Sequence, residues 1–133
     1  MINGKELMIG DYVDVGADDC PPAVAVVEEI YGKANKALLS ICKSSVIFNA
    51  DDISPIKLTE EFFSKNRFRE LYTYRDVVRL YSQDDITLRI SLYPTETGLR
   101  CGVYDEIRVN YVHEFQHLLR LVGLSEMANN LKI

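Results

Sequence analysis

Hydrophobic spacing divides this chain into a long strand-like part and a short helical part. Up to Val109, apolar residues form short runs between turn-forming residues, and one run at 86–92 has a clear period of two. After Asn110 the spacing changes to about 100° per residue, which is typical of an amphipathic helix. The residues on that apolar stripe are Tyr111, Val112, Phe115, Leu118, Leu119 and Val122. The pattern predicts an α+β protein with one main C-terminal helix.

The first half of the chain predicts a small β-barrel. Four β-like runs, at 12–15, 23–31, 37–41 and 46–48, are separated by turn signals, as expected for short strands that curl into a barrel. We therefore expect residues 1–57 to form an SH3-like small β-barrel.

Residues 58–133 predict a second subdomain of different architecture. Thr59 favours a short linking helix, because its hydroxyl can accept a hydrogen bond from the first turn. Further β-like runs up to Val109 favour an antiparallel β-meander. We expect the C-terminal amphipathic helix to cover this meander and to end at Gly123, since glycine readily adopts the left-handed backbone that follows a helix.

Length and charge narrow the class of protein. The 133 residues suffice for one domain or two small subdomains with a shared core. No apolar run approaches the roughly 20 residues of a membrane-spanning helix, and no secretory leader pattern is present, so we expect a cytoplasmic protein without membrane partners. The formal net charge of −5 disfavours general affinity for nucleic acid.

One motif on the predicted helix suggests metal chemistry. His113-Glu114-Phe115-Gln116-His117 matches H-E-x-x-H, in which two histidines one turn apart bind zinc and the glutamate activates water. These are the only histidines in the chain, and a catalytic zinc normally needs a third protein ligand. Both also lie opposite the apolar stripe, with Gln116 and Arg120, where a solvated face is expected. We expect no metal or cofactor, and keep a zinc-dependent hydrolase as an alternative.

Two further groups of residues are candidates for binding. Tyr72, Tyr74 and Tyr81 are natural anchors for a protein partner, because aromatic residues are enriched in interface cores. Packing within the sheet is the more common role of such residues, because strands readily accept aromatic side chains. A nucleic-acid-binding small barrel is a third alternative; its basic edge would consist of Lys33, Lys36 and Lys43. The sequence shows no basic patch with stacking aromatics to support it.

Three segments resemble landmarks of one protein family. They are Glu6–Val13, Ile53–Glu61 and Tyr111–Leu118. In this order they are similar to L-R-I-G-N-x-V, P-I-x-L-T-E-E and Y-V-H-x-L-Q-N-L of an uncharacterised family of gut Bacteroidetes proteins associated with prophages and mobile elements. His117 stands where that family usually has Asn, and Glu114 where Gln is common. The resemblance therefore implies that the zinc motif is incidental, and it implies no activity, cofactor or catalytic residue.

The leading hypothesis is a non-enzymatic protein-interaction or accessory module. No nucleophile–base pair, phosphate-binding loop or convincing metal cluster is recognisable in the sequence. We expect an unidentified protein partner, and the sequence leaves self-association into a homo-oligomer open.

Overall fold

The computed structural model describes residues 7–16, 23–41, 43–85, 88–95, 98–103 and 107–133. It contains two antiparallel sheets and a few short helices, which confirms the mixed α and β class. The chain forms two compact units, each made of separate segments. The first unit comprises Met1–Ile56 and Val112–Asn129, and the second comprises Lys57–Tyr111 and Asn130–Ile133.

The first unit contains a four-stranded antiparallel sheet. Its strands, in sheet order, are β1 (Tyr12–Asp14), β2 (Val24–Tyr31), β3 (Lys36–Ile41) and β4 (Ser44–Asn49). A 3-10 turn at Gly32–Ala34 joins β2 to β3 and ends at Asn35, whose φ of 53° lies in the left-handed region that asparagine tolerates. The described part of this sheet does not close into a barrel, so the SH3-like architecture stays a prediction.

The core of this unit follows strand alternation. Ala25 and Val27 on β2 and Ala37 and Leu39 on β3 are buried, while the residues between them are more exposed. Such alternation is expected of strands with one face against a core. A 3-10 turn at Ala50–Asp52 follows β4.

Two helices complete the first unit. Helix α2 (Val112–Leu121) buries four residues of the predicted stripe, Val112, Phe115, Leu118 and Leu119. Gly123, two residues after its last residue, has a φ of 85°, and the N–H of Leu124 donates to the carbonyl of Leu119 at 2.7 Å. The predicted helix stop is confirmed. A short helix, α3 (Ser125–Asn129), follows.

This grouping of α2 differs from the sequence expectation. The hydrophobic pattern predicts a boundary near residue 57 and places the helix with the second half, whereas the contacts place 112–129 with the first unit. An amphipathic stripe specifies that a helix needs an apolar surface, but it does not specify which sheet supplies that surface.

The second unit begins with helix α1 (Glu60–Lys65) and continues as a five-stranded meander. The N–H of Phe62 donates to the Thr59 hydroxyl at 3.1 Å, so the predicted cap is confirmed. In sheet order the strands are β5 (Phe68–Tyr74), β6 (Val77–Ser82), β7 (Arg89–Thr95), β8 (Gly98–Val103) and β9 (Ile107–Val109).

One face of this meander is buried. Leu80, Ile90 and Leu92 are at most 8% exposed, and their register places them on the same side as Phe68. The ring of Phe63 on α1 meets Phe68 edge to face, with centroids 5.3 Å apart. Ile86, part of the period-two run, lies outside the described residues. No helix in the described part of the chain has the length and apolar composition needed to cross a membrane.

Candidate functional site

The polar face of α2 is largely buried: two of its residues are fully shielded, and His117 and Arg120 are partly buried. His113 is 2% exposed and Gln116 is fully buried. The expectation of a solvated histidine face is therefore wrong. Polar residues at helical spacing lie in solvent only when their polar atoms find no hydrogen-bond partners inside the protein. Here the segment that leads into β1 supplies such partners.

Asp11 is the centre of a buried charged cluster. Its carboxylate is fully buried, and three nitrogen atoms lie within hydrogen-bond distance of its oxygens. Oδ1 accepts from Nη1 of Arg120 at 2.9 Å, and Oδ2 accepts from the backbone N–H of Met8 at 2.8 Å. Nε2 of His117 lies 2.7 Å from Oδ2. A carboxylate with this many donors is well satisfied in a site that water cannot reach.

Gln116 forms a second buried connection with neutral groups. Its Oε1 accepts from the N–H of Tyr12 at 2.8 Å, and its Nε2 donates at 3.1 Å to the carbonyls of Gly10 and Ala128. One amide thus joins α2, α3 and the start of β1. The hydroxyl of Tyr12 donates to the carbonyl of Asn129 at 2.8 Å, and burial raises the pKa of that hydroxyl, an effect that the charge of Arg120 partly offsets.

Gly10 is required by this arrangement. Its φ of 92° lies in the left-handed region, and a Cβ at this position would come within 3.0 Å of Nη2 of Arg120. That Nη2 is buried and has no hydrogen-bond partner among the described residues. The guanidinium is therefore enclosed by both the backbone of Gly10 and the carboxylate of Asp11.

This geometry gives little support to zinc chemistry. The rings of His113 and His117 are 5.7 Å apart between centroids, but Nε2 of His117 faces Asp11. A nitrogen engaged in this way cannot also ligate a metal without breaking the cluster. Glu114 is partly exposed in the first turn of α2. Among the described residues, no group of three His, Cys, Asp or Glu side chains could hold a metal ion.

A second candidate surface lies on the other face of the meander in the second unit. Among the residues whose side chains the structure describes, strand register places four arginines and four tyrosines together on this face. We call it the Arg–Tyr face, and it consists of Arg69, Tyr72, Tyr74, Arg79, Tyr81, Arg89, Tyr93 and Arg108.

Cross-strand pairing interleaves the two residue types. Tyr81 on β6 pairs with Arg69 on one side and Arg89 on the other. A second row runs from Tyr72 through Arg79, Ser91 and Gly102 to Arg108. A β-bulge between Glu70 and Tyr72 shifts the register, so that Glu70 stays on the buried face while Tyr72 joins the arginines.

The face is open to solvent at two of its four tyrosines and at three of its four arginines. Tyr72 is 52% exposed and Tyr74 is 63% exposed, and Arg69, Arg89 and Arg108 are exposed too. Arg79, Tyr81 and Tyr93 are half-buried.

Tyrosine rings on and beside this face already contact other groups. The guanidinium carbon of Arg75 lies 5.3 Å from the centroid of the Tyr74 ring, a cation–π contact. The ring of Tyr93 leans over Gly102, where a Cβ would lie 3.2 Å from its Cε2.

Charge is distributed unevenly between the two units. By sequence, the first unit carries five basic and eleven acidic side chains, and the second carries ten and nine, which together are the 15 and 20 of the chain. Seven of the eight arginines belong to the second unit. None of the described strand residues on the Arg–Tyr face is acidic. The overall charge of −5 therefore conceals a locally basic surface.

The three lysines that would form the basic edge of a nucleic-acid-binding barrel do not lie together in the structure. Lys33 lies in the 3-10 turn before β3 and Lys36 is the first residue of β3, whereas Lys43 follows the end of this six-residue strand. At about 3.3 Å per residue its length approaches 20 Å, so the three do not form one edge.

The arginines of the new face were missed because they occupy alternate strand positions. In β7, for example, Arg89 and Ser91 alternate with buried Ile90 and Leu92, a pattern that by itself indicates only a solvated face. The one available signal was that arginine and tyrosine fill most of these outward positions.

A cavity on the opposite face is small. It encloses about 160 Å³ and is bordered by Glu60, Glu70 and Phe68, among others. Pockets that bind drug-sized ligands are about 300–1,000 Å³, so this one is a poor candidate for a substrate site.

Comparison with known proteins adds no assignment, because no protein-family model, curated protein or solved structure matches this chain.

Proposed function

We propose that this protein is a non-enzymatic binding module that takes an anionic partner on the Arg–Tyr face. The observation that carries the proposal is the placement of four arginines and four tyrosines on one exposed sheet face of an acidic protein. Arginine and tyrosine are both enriched in interface hot spots. Arginine also binds carboxylate and phosphate through a planar pair of donors.

The first unit acts as a scaffold in this proposal. The side chains of Asp11 and Gln116 are hydrogen-bonded within the unit, and Nη1 of Arg120 is paired with Asp11, so these groups are engaged in the scaffold rather than presented to a substrate. A zinc hydrolase built on His113 and His117 receives no support from this geometry. A cytoplasmic location and membership of the mobile-element-associated family belong to the same proposal.

Retention on a polyanion tests whether this face binds anions. Heparin chromatography at pH 7.5 and low salt should retain the wild-type protein despite its net charge of −5. The triple variant Arg69→Gln, Arg89→Gln, Arg108→Gln should elute in the unbound fraction. These side chains are exposed, so each substitution should change stability by no more than about 0.5 kcal/mol.

The matched control removes three positive charges from the first unit. The triple variant Lys33→Gln, Lys36→Gln, Lys43→Gln has the same net charge as the arginine variant, and all three lysines are exposed. It should elute at the same salt concentration as the wild type. Equal loss of retention in both variants would show that only overall charge matters, and the proposal would fail.

A further inference from the structure

We propose that the anionic partner of the Arg–Tyr face is single-stranded nucleic acid, an inference that rests on the proposed function. The first reason is the kind of cation present. All described basic residues on the face are arginines, while lysine makes up seven of the 15 basic residues in the chain. A guanidinium both pairs with phosphate and stacks on a base, whereas an ammonium group offers only a point charge.

The second reason is the position of the tyrosines among the arginines. Proteins that bind single strands combine a positive surface, which follows the phosphates, with aromatic rings on which bases stack. Open sheets that carry two or three such rings are a common form of this surface. Here Tyr72 and Tyr74 are exposed, and Tyr81 lies between Arg69 and Arg89.

The third reason is the shape of the surface, which distinguishes single strands from duplex. The row from Tyr72 to Arg108 crosses five strands, or about 19 Å at about 4.8 Å per strand. A sheet this wide does not enter a major groove of about 12 Å. Its tyrosines could stack only on bases that are already unpaired.

The negative charge of the first unit restricts where such a partner can bind. With eleven acidic side chains against five basic ones, it repels phosphate, so attraction is confined to the second unit. We therefore expect a short binding site and an affinity that falls as the salt concentration rises.

Fluorescence anisotropy of the full chain provides the test. The probes are fluorescein-labelled oligo-dT and oligo-U of about 12 nucleotides, within the range of about 4–16 that one small domain covers. A duplex of the same length and a labelled polyglutamate peptide of similar charge serve as comparisons. We expect both single strands to bind at least about 10-fold more tightly than either comparison.

Salt dependence and substitutions separate charge from stacking. With the three exposed arginines on phosphates, the slope of log K against log salt should be about −2, and Arg89→Gln should reduce its magnitude by about 0.7. Tyr72→Leu and Tyr74→Leu should each weaken binding about 5- to 150-fold with the slope unchanged. Tyr72→Phe should bind like the wild type, because its ring still stacks, and it reports binding even if a Leu variant folds poorly.

Tyr31→Leu is the matched control, since Tyr31 is an exposed tyrosine of the first unit. It should leave the affinity unchanged. Binding of the duplex or of polyglutamate as tight as that of the single strands would overturn the inference, as would tyrosine variants that bind normally. If heparin retention persists in those cases, the anion-binding function stands and only the nucleic-acid assignment is lost. If neither heparin nor any oligonucleotide binds, both proposals fail.

Discussion

The substitution Gln116→Met tests the buried polar network most directly. Methionine has nearly the same length and volume as glutamine but cannot form its hydrogen bonds. The change therefore removes one acceptor and two donated bonds without opening a large cavity. It leaves the N–H of Tyr12 and the carbonyls of Gly10 and Ala128 without this partner.

The expected cost follows from these three groups. A buried polar group that loses its partner costs about 1–3 kcal/mol. The apolar methionine side chain recovers about 1–2 kcal/mol, because it gains more from burial than an amide does. With about 1.5 kcal/mol for each of the three groups, less about 1.5 kcal/mol for this gain, we expect a net loss of about 3 kcal/mol in the free energy of unfolding, since Gln116 is fully buried. This is a large part of the roughly 5–15 kcal/mol that stabilises a typical domain.

Two measurements check the prediction. Urea denaturation gives the loss of stability, with Leu121→Met as a control because Leu121 lies on the same helix and is 83% exposed. Hydrogen exchange gives a local readout, since the amide of Tyr12 should lose protection when Gln116 no longer accepts its proton. If Gln116→Met lies within about 0.5 kcal/mol of the wild type and the Tyr12 amide stays protected, the assignment of a buried network is wrong.

Three further predictions concern single contacts. Asp11→Asn should lower the free energy of unfolding by about 3 kcal/mol, because it leaves Arg120 without an anionic partner. In a double-mutant cycle measured by urea denaturation, Arg120→Met should recover more than about 1 kcal/mol of that loss. Additive effects of the two substitutions would refute the pairing. Because burial raises the pKa of Tyr12, its phenol stays neutral to a higher pH in the folded protein than in the unfolded chain. The contribution of this hydroxyl to stability is complete below pH 10 and is lost as the pH rises through the pKa of the folded state. Tyr12→Phe should therefore flatten the alkaline part of a plot of stability against pH, and an unchanged plot would contradict the shift. Asp76 has a φ of 67° in the two-residue turn between β5 and β6, a conformation that glycine adopts without strain. Asp76→Gly should therefore raise the free energy of unfolding by about 0.5–1 kcal/mol in thermal or urea melts. A loss of stability would show that the Asp76 side chain stabilises the turn.

Local features of the fold were predictable from neighbouring residues. The cap at Thr59, the left-handed turn at Asn35 and the helix stop at Gly123 each depend on groups within a few positions in the chain. The same holds for the alternation of buried residues in β2 and β3 and for the apolar stripe of α2. Period and capping chemistry report such short-range interactions directly.

The candidate site was predictable only in part. Tyr72, Tyr74 and Tyr81 are identified in the sequence as candidate contact residues, and the structure places all three on one face. Their association with Arg79 and Arg108 depends on strand register across the whole meander, which no local pattern specifies.

The sequence by itself determined the local elements of this protein, the α and β class and the presence of two histidines one helical turn apart. Only the tertiary structure decided what surrounds them. Asp11 and His117 are 106 positions apart, and their contact lies on a helix face that the sequence pattern predicts to be solvated. Burial of a polar group depends on whether distant parts of the chain supply partners, and the make-up of a sheet face depends on how strands align. Both are set by long-range packing, which hydrophobic periodicity does not encode.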